Sequence, residues 1–203
     1  MEYKPKDFTH LIGIKGFSRQ LLENHFALYE GYVENTNKLL KLFSAKSDPK
    51  DPAFAESHRR FGWEWNGMRL HEYYFDNLGG NGQLKQSSLF DKIQKQFGDF
   101  QKWQDSFKAI GAMRGIGWAV LYVDHFTGLL CNAWINEHDA GHLSGCSPIM
   151  IMDVFEHAFM IDYGIKKDGY IAAFIQNANW DLAVDRFQNA EKFQLAEPQL
   201  VAK

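Results

Sequence analysis

The stretch MDVFEHAFMIDYG, residues 152–164, sets an aspartate, a glutamate and a histidine inside an otherwise apolar segment. Asp153, Glu156 and His157 stand among Val154, Phe155, Ala158, Phe159 and Ile161. Burying an unpaired charge costs several kcal/mol, on the order of 3 or more, unless something binds it. The rest of the chain has to supply the reason these groups are kept.

Upstream of that segment, the apolar residues of GFSRQLLENHFALYEGYVENTNKLLKLF recur at helical spacing, and Ser18 is placed to cap a helix over RQLLENHFALYEGYVENTNKLL. A second helix is predicted over PAFAESHRRFGWEWNGMRLHEYYFDNL. With SAKSDPKDP between them, the two read as an antiparallel hairpin. GGNGQLKQS, residues 79–87, is the strongest breaker cluster in the chain and reads as a linker. Beyond it, SLFDKIQKQFG and DFQKWQDSFKAIGAMRG are helical. GWAVLYVDHFTGLLCNAWI reads as two strands about a turn near Thr127 and Gly128, CSPIMIMDVF as a third strand, and GYIAAFIQNANWDLAVDRFQNAEKF as helix again.

Bulk properties narrow the function classes. A chain of 203 residues makes one large domain or two small ones. Hydrophobic residues at 45% and charged residues at 23% describe a folded soluble chain rather than a disordered or membrane one. A formal net charge of -3 offers no basic field for nucleic acid or a membrane surface. The start MEYKPKDFTHLIGIKGF carries no apolar signal segment, so a cytoplasmic location is expected. Cys131 and Cys146 form no C-x-x-C and are expected to be free buried thiols.

Of eight histidines, His10, His58 and His125 lie in polar or turn contexts and are expected at the surface. His25 shares one face of the first helix with Tyr29 and Tyr32, and His71 precedes EYYFDNL on the second. Asp153 and His157 are four residues apart. Three imidazoles and one carboxylate from three separated segments form a mixed nitrogen and oxygen set suited to iron or manganese rather than to a thiolate-seeking metal.

HFALYEGYVENTN, LHEYYFDNL, GGNGQL with FGDFQKWQDSFKAIGAMRGIGWAVL, and DVFEHAFMIDYG occur in that order, and together they resemble the iron/manganese superoxide dismutase family over nearly the whole chain. The resemblance implies an α+β fold: an N-terminal antiparallel helical hairpin over 1–80, then a C-terminal α/β domain over 86–203 with a small three-stranded antiparallel sheet flanked by helices. The metal site would lie between the two. It implies His25, His71, Asp153 and His157 as ligands of one iron or manganese ion per subunit, with superoxide, a small anion, as substrate. Glu156 would reach the ligand histidine of a partner subunit in a homodimer or homotetramer, and Tyr32 would be the substrate-gate tyrosine. Trp118 and Trp180 would keep the aromatic wall around the metal. Family members place a glutamine or histidine against the coordinated solvent. Here the helix position four before His71 is Gly67, which leaves that space open, and His138 is placed to fill it, with Glu137 and His142 as alternatives.

The chain also departs from the family pattern. His25 lies seven residues before Tyr32 rather than eight, which implies an uninterrupted α-helix. The gateway positions hold Tyr29 and Met160, and two tryptophan positions hold Phe75 and Phe155. Lys166 and Lys167 stand where the family carries basic residues near the channel mouth and would steer an anion. The alternative reading is a family relative that keeps the scaffold as a metal-binding or interaction protein with little dismutase activity. Paired E-x-x-H motifs of a di-iron protein are absent.

Overall fold

Two capping residues set the starts of the long helices in the computed structural model, which describes residues 2–45 and 48–193. Ser18 Oγ accepts the Leu21 amide at the start of α1 (Arg19–Ser44), and the Asp51 carboxylate accepts the Ala53 amide at the start of α2 (Pro52–Asp76). Pro52 occupies the first helical position, where a missing N–H is not missed. α1 buries Leu21, Leu22, His25, Tyr29, Val33 and Thr36 on one stripe, and that stripe packs against α2 as the expected hairpin. α1 is a continuous α-helix past His25 and Tyr32, as their seven-residue interval implies. Lys46 and Ser47 of the expected connecting loop, and the extreme residues of the two expected domains, lie outside the described residues.

Ser87 caps α3 (Ser88–Phe97), Gly98 ends it at φ 91°, and Asp99 caps α4 (Phe100–Gly111). The sheet follows: β1 (Gly117–Asp124), β2 (Leu130–Asn136) and β3 (Cys146–Asp153), antiparallel in the order β2-β1-β3. β1 is the central strand and is buried along nearly its whole length, so GWAVLYV reads as a continuous apolar run rather than an alternating one. α4 packs on β1 and β2, while α2 and α7 pack on β3. The register pairs Trp118 with Asp153, which puts the indole and the carboxylate side by side on one face of the sheet.

After a short α5 (Met160–Tyr163), the last segment is helical as expected, in two pieces, α6 (Lys167–Gln176) and α7 (Trp180–Glu191). The Asn177 amide donates to the carbonyls of Ala173 and Lys15, and Asn179 caps α7 by accepting the Leu182 amide. These local side-chain bonds compete with continuation of the helix and break it. The glycine linker docks on that break: the Gly80 N–H donates to the Asn177 carbonyl and the Gly82 N–H to the Ala178 carbonyl. A Cβ on Gly80 would stand 2.3 Å from the Ala178 carbonyl oxygen, so only glycine allows this approach.

Cys131 and Cys146 are free, as expected, but half-buried rather than buried, because they lie at the ends of β2 and β3 nearest the β1–β2 turn. His10 and His58 are exposed. His125 is half-buried, with Nε2 2.8 Å from Ser147 Oγ.

Candidate metal centre

His25 comes from α1, His71 from α2, and Asp153 is the last residue of β3. His157 lies in a single 3-10 turn, Glu156–Ala158, that follows the strand. One donor atom from each of the four falls within 4.8 Å of every other. Asp153 Oδ2 lies 3.2 Å from His25 Nε2, 3.0 Å from His157 Nε2 and 3.6 Å from His71 Nε2. Donors bonded to one ion at about 2.1 Å stand about 3.0 Å apart at right angles and about 3.6 Å apart at 120°. The observed carboxylate–imidazole spacings fall in that range, so the four donors could hold one ion.

His71 supplies the sharper test of fit. Its Nδ1–H donates to the Gly67 carbonyl at 2.5 Å, so in the neutral ring Nε2 carries only a lone pair. That atom is buried, has no hydrogen-bond partner among the described residues, and faces the Asp153 carboxylate. Two acceptors face each other without a shared proton. Burial holds the His71 imidazole well below its ordinary pKa, and charge on His25 adds to that, so a proton does not fill the gap near neutral pH. Burial likewise lowers His25. For Asp153 burial alone would raise the carboxyl, but the charge and hydrogen bond of His157, with those of His25, hold it well below the usual range. An ionised carboxylate and three imidazole nitrogens gathered within 4.8 Å of one another fit an iron or manganese ion.

A second set of contacts surrounds these four. Tyr32 stacks on His71 with ring centroids 5.2 Å apart and an interplanar angle of 27°. A Cβ at Gly67 would stand 2.5 Å from the Tyr32 ring, so the space left open at that helix position seats Tyr32 itself. His138 is fully buried, and its Nε2 lies 2.7 Å from Tyr32 Oη. The Trp118 indole N–H, which can only donate, reaches His138 Nδ1 at 3.1 Å. The neutral imidazole therefore carries its proton on Nε2, donates it to Tyr32 Oη, and leaves the Tyr32 hydroxyl hydrogen free. Burial pushes His138 down to about 4, and burial with the Asp153 charge pushes Tyr32 up to about 12. Phe155 stacks on both His138 and His157, and Phe75 meets His25 edge-on.

Not every residue singled out from the sequence joins this group. Trp118 does, but the Trp180 ring packs against Phe100 and Trp103, away from the histidines, because α7 faces α3 and β3. The Tyr29 ring lies 6.5 Å from that of His71, while its hydroxyl donates to Glu72 Oε1 at 3.0 Å and accepts the Lys6 amide, so the hydroxyl is engaged inside the hairpin. Glu156, Met160 and Lys166 are exposed. Lys167 is tied down, its Nζ donating to the Met113 carbonyl at 2.9 Å. Glu137 is half-buried and His142 binds backbone, so His138 alone of the three meets Tyr32. Sequence reasoning passed over Trp63, whose ring lies edge-on to His138 at 4.8 Å with the Arg60 guanidinium over it. Its signal was available: Trp63, Gly67 and His71 are successive i+4 positions on one helix face. It also passed over Tyr170, which donates to the Asp153 backbone carbonyl from beneath.

Residues 85–186 match the family model described as iron/manganese superoxide dismutases, C-terminal domain. The chain is 33% identical over 199 residues to the iron superoxide dismutase of Aquifex pyrophilus, covering 93% of this chain and 92% of that protein. It is 34% identical over 182 residues to the iron superoxide dismutase of Cupriavidus metallidurans, covering 87% and 91%. To the manganese superoxide dismutase 2 of Haloferax volcanii it is 29% identical over 176 residues, covering 85% and 88%. With these likenesses running through both the hairpin and the sheet that meet at the four-residue cluster, the chain belongs to the iron/manganese superoxide dismutase family.

Proposed function

We propose that this chain is a superoxide dismutase, with His25, His71, Asp153 and His157 as the ligands of one iron or manganese ion. The observation that carries the reading is the unpartnered, unprotonated His71 Nε2 facing an ionised Asp153 in a buried site. A redox-active ion held by these four residues would supply the one-electron exchange by which one superoxide is oxidised to dioxygen and a second is reduced. One carboxylate and three neutral imidazoles offset only one unit of the ion's charge, so the site keeps a positive balance that attracts a small anion.

The second superoxide becomes hydrogen peroxide only with two protons. Tyr32 is the donor next to the ligands whose hydroxyl hydrogen is uncommitted, and its raised pKa keeps it protonated at physiological pH. His138 holds the Tyr32 oxygen from the other side and stays neutral there. Trp118, Phe155 and Phe75 crowd the ligands and exclude bulk water, which fixes the imidazole orientations.

The hairpin 1–80 and the unit 86–203 are read as two domains that share this site. A homodimer or homotetramer is supported by exposure: the His157 side chain is 27% accessible while His25, His71 and Asp153 are at 0%. Glu156, Met160 and Ile161, close to His157 in sequence, are exposed and would be available to a partner's copy. A cytoplasmic location is supported by two free thiols, and no described helix is long and apolar enough to cross a membrane.

The test is elemental analysis and a superoxide assay on one preparation, with a His25→Ala variant beside it. About one iron or manganese per chain, with metal and activity both lost in the variant, supports the reading. Metal without dismutation would leave the scaffold as a metal-binding or interaction protein, and no metal after reconstitution would refute the ligand set. Sedimentation equilibrium decides the oligomer.

A further inference from the structure

His138 is held from both ends, and the second hold lies outside the metal site. At the ring, Trp118 donates to Nδ1 and Nε2 donates to Tyr32. At the backbone, the His138 carbonyl accepts from His142 Nε2 at 2.9 Å. A carbonyl can only accept, so His142 carries its proton on Nε2. Its Nδ1 is then a lone pair, and the Tyr122 hydroxyl, 3.0 Å away, donates to it. The result is a relay of fixed polarity from Tyr122 through His142 to the His138 backbone, parallel to the one from Trp118 through the His138 ring to Tyr32.

The segment so held is a three-residue loop, Glu137–Asp139, closed by a bridge between Asn136 and Ala140. The Glu137 N–H donates to the Ile116 carbonyl, and among the described residues there is no backbone–backbone hydrogen bond at His138 or Asp139 themselves. Glu137 has φ 51°, the one positive value at a non-glycine residue among those described. A side chain disfavours that left-handed conformation, so surrounding contacts must maintain it. Tyr122 is a firm anchor, being buried on the central strand. His142 is half-buried and contacts none of the four ligands through any of its hydrogen bonds.

We propose that His142 is a positioning residue: by holding the His138 carbonyl, with Tyr122 fixing its own tautomer, it sets the His138 ring against Tyr32. The proposal deepens the dismutase reading and rests on it for its kinetic consequence. An error of about 1 Å in a group beside the reacting atoms costs up to about 100-fold in rate. Binding of superoxide, governed by the charge of the site, is largely untouched.

The experiment compares the parent with His142→Ala and His142→Gln, the latter keeping an N–H that reaches the same carbonyl. Each is measured for metal content, for kcat and KM by stopped flow, and for hydrogen exchange at the Trp118 indole N–H by NMR on the zinc-loaded chain. The Trp103 indole, bonded to Asn132 at 3.0 Å, is the internal control. In His142→Ala we expect parental metal content, a kcat loss of about 10- to 100-fold with KM little changed, and faster exchange at Trp118 alone. His142→Gln should recover both. Parental kcat and Trp118 protection in His142→Ala, or exchange that rises equally at Trp103, would overturn the positioning role. So would a Gln variant as impaired as Ala. If the parent itself fails to dismute superoxide, the functional reading falls, while the Trp118 exchange still decides whether His142 holds His138.

Discussion

Three of the four proposed ligands, His25, His71 and Asp153, and the His138 loop meet at one site but are held by different kinds of backbone. His25 and His71 are single residues within helices of 26 and 25 residues, and Asp153 ends a strand paired along its length. Their side chains are aimed by the helical and strand repeats, which many hydrogen bonds enforce at once. His138 is aimed by a short loop with one bridge, and its place depends on particular side chains: Trp118, Tyr32 and His142. The first arrangement tolerates change in its neighbours and fails when a ligand is lost. The second keeps the metal but is sensitive to each contact.

The largest effect is expected at the ligands. Asp153→Ala removes the ionised partner of the buried His25 and His71 and the partly exposed His157, and a loss of about 3 to 5 kcal/mol lowers metal affinity by roughly 10²- to 10⁴-fold. Competition with a chelator measures it, and dismutation should vanish in proportion to metal. Retention of tight metal binding would show that the histidines alone define the site.

The loop should reveal itself on acidification. His138 titrates near 6.5 in the unfolded chain and at about 4 in the folded one, so the unfolded state binds more protons between those values. Its contribution is complete above pH 6.5 and is lost as pH falls toward about 4, amounting to about 3 kcal/mol. Chemical denaturation of the metal-free chain across that window, beside His138→Gln, should show a shallower acid loss in the variant. Equal slopes would mean that the loop releases His138 to solvent before unfolding.

Gly67→Ala comes next. The new methyl would stand 2.5 Å from the Tyr32 ring, and overpacking of this kind costs about 1 to 3 kcal/mol. A lowered melting temperature with full metal content and a reduced kcat would place the damage at Tyr32 rather than at the ligands. The smallest effect is expected for Tyr29→Phe, where Glu72 loses one donor but keeps Arg69. Stability should fall by about 1 kcal/mol with kcat close to parental. A large kcat loss would return Tyr29 to the substrate path.

The helical hairpin was legible because its apolar period, Ser18 cap and Asp51–Pro52 start are local signals. The four residues that cluster were legible because buried charge in an apolar segment is rare and because their motifs resemble those of a known family. Trp180 shows the limit: its place in the family pattern matches, yet its neighbours are Phe100 and Trp103. Tyr29 shows another, since the helical period puts it on the His25 face but says nothing of Glu72 waiting on α2. The break at Asn177 escaped notice because its carbonyl partner, Lys15, is 162 residues away in sequence.

By itself, the sequence determined which residues are chemically able to bind the metal and on which faces of their helices they lie, because residue type and helical period are properties of the chain alone. Only the tertiary structure decided which nitrogen of each imidazole is free, which tyrosine keeps an uncommitted proton, and how a strained loop presents His138. Those depend on the partner each polar atom finds, and the partners come from strands, helices and loops that only folding brings within about 3 Å of one another.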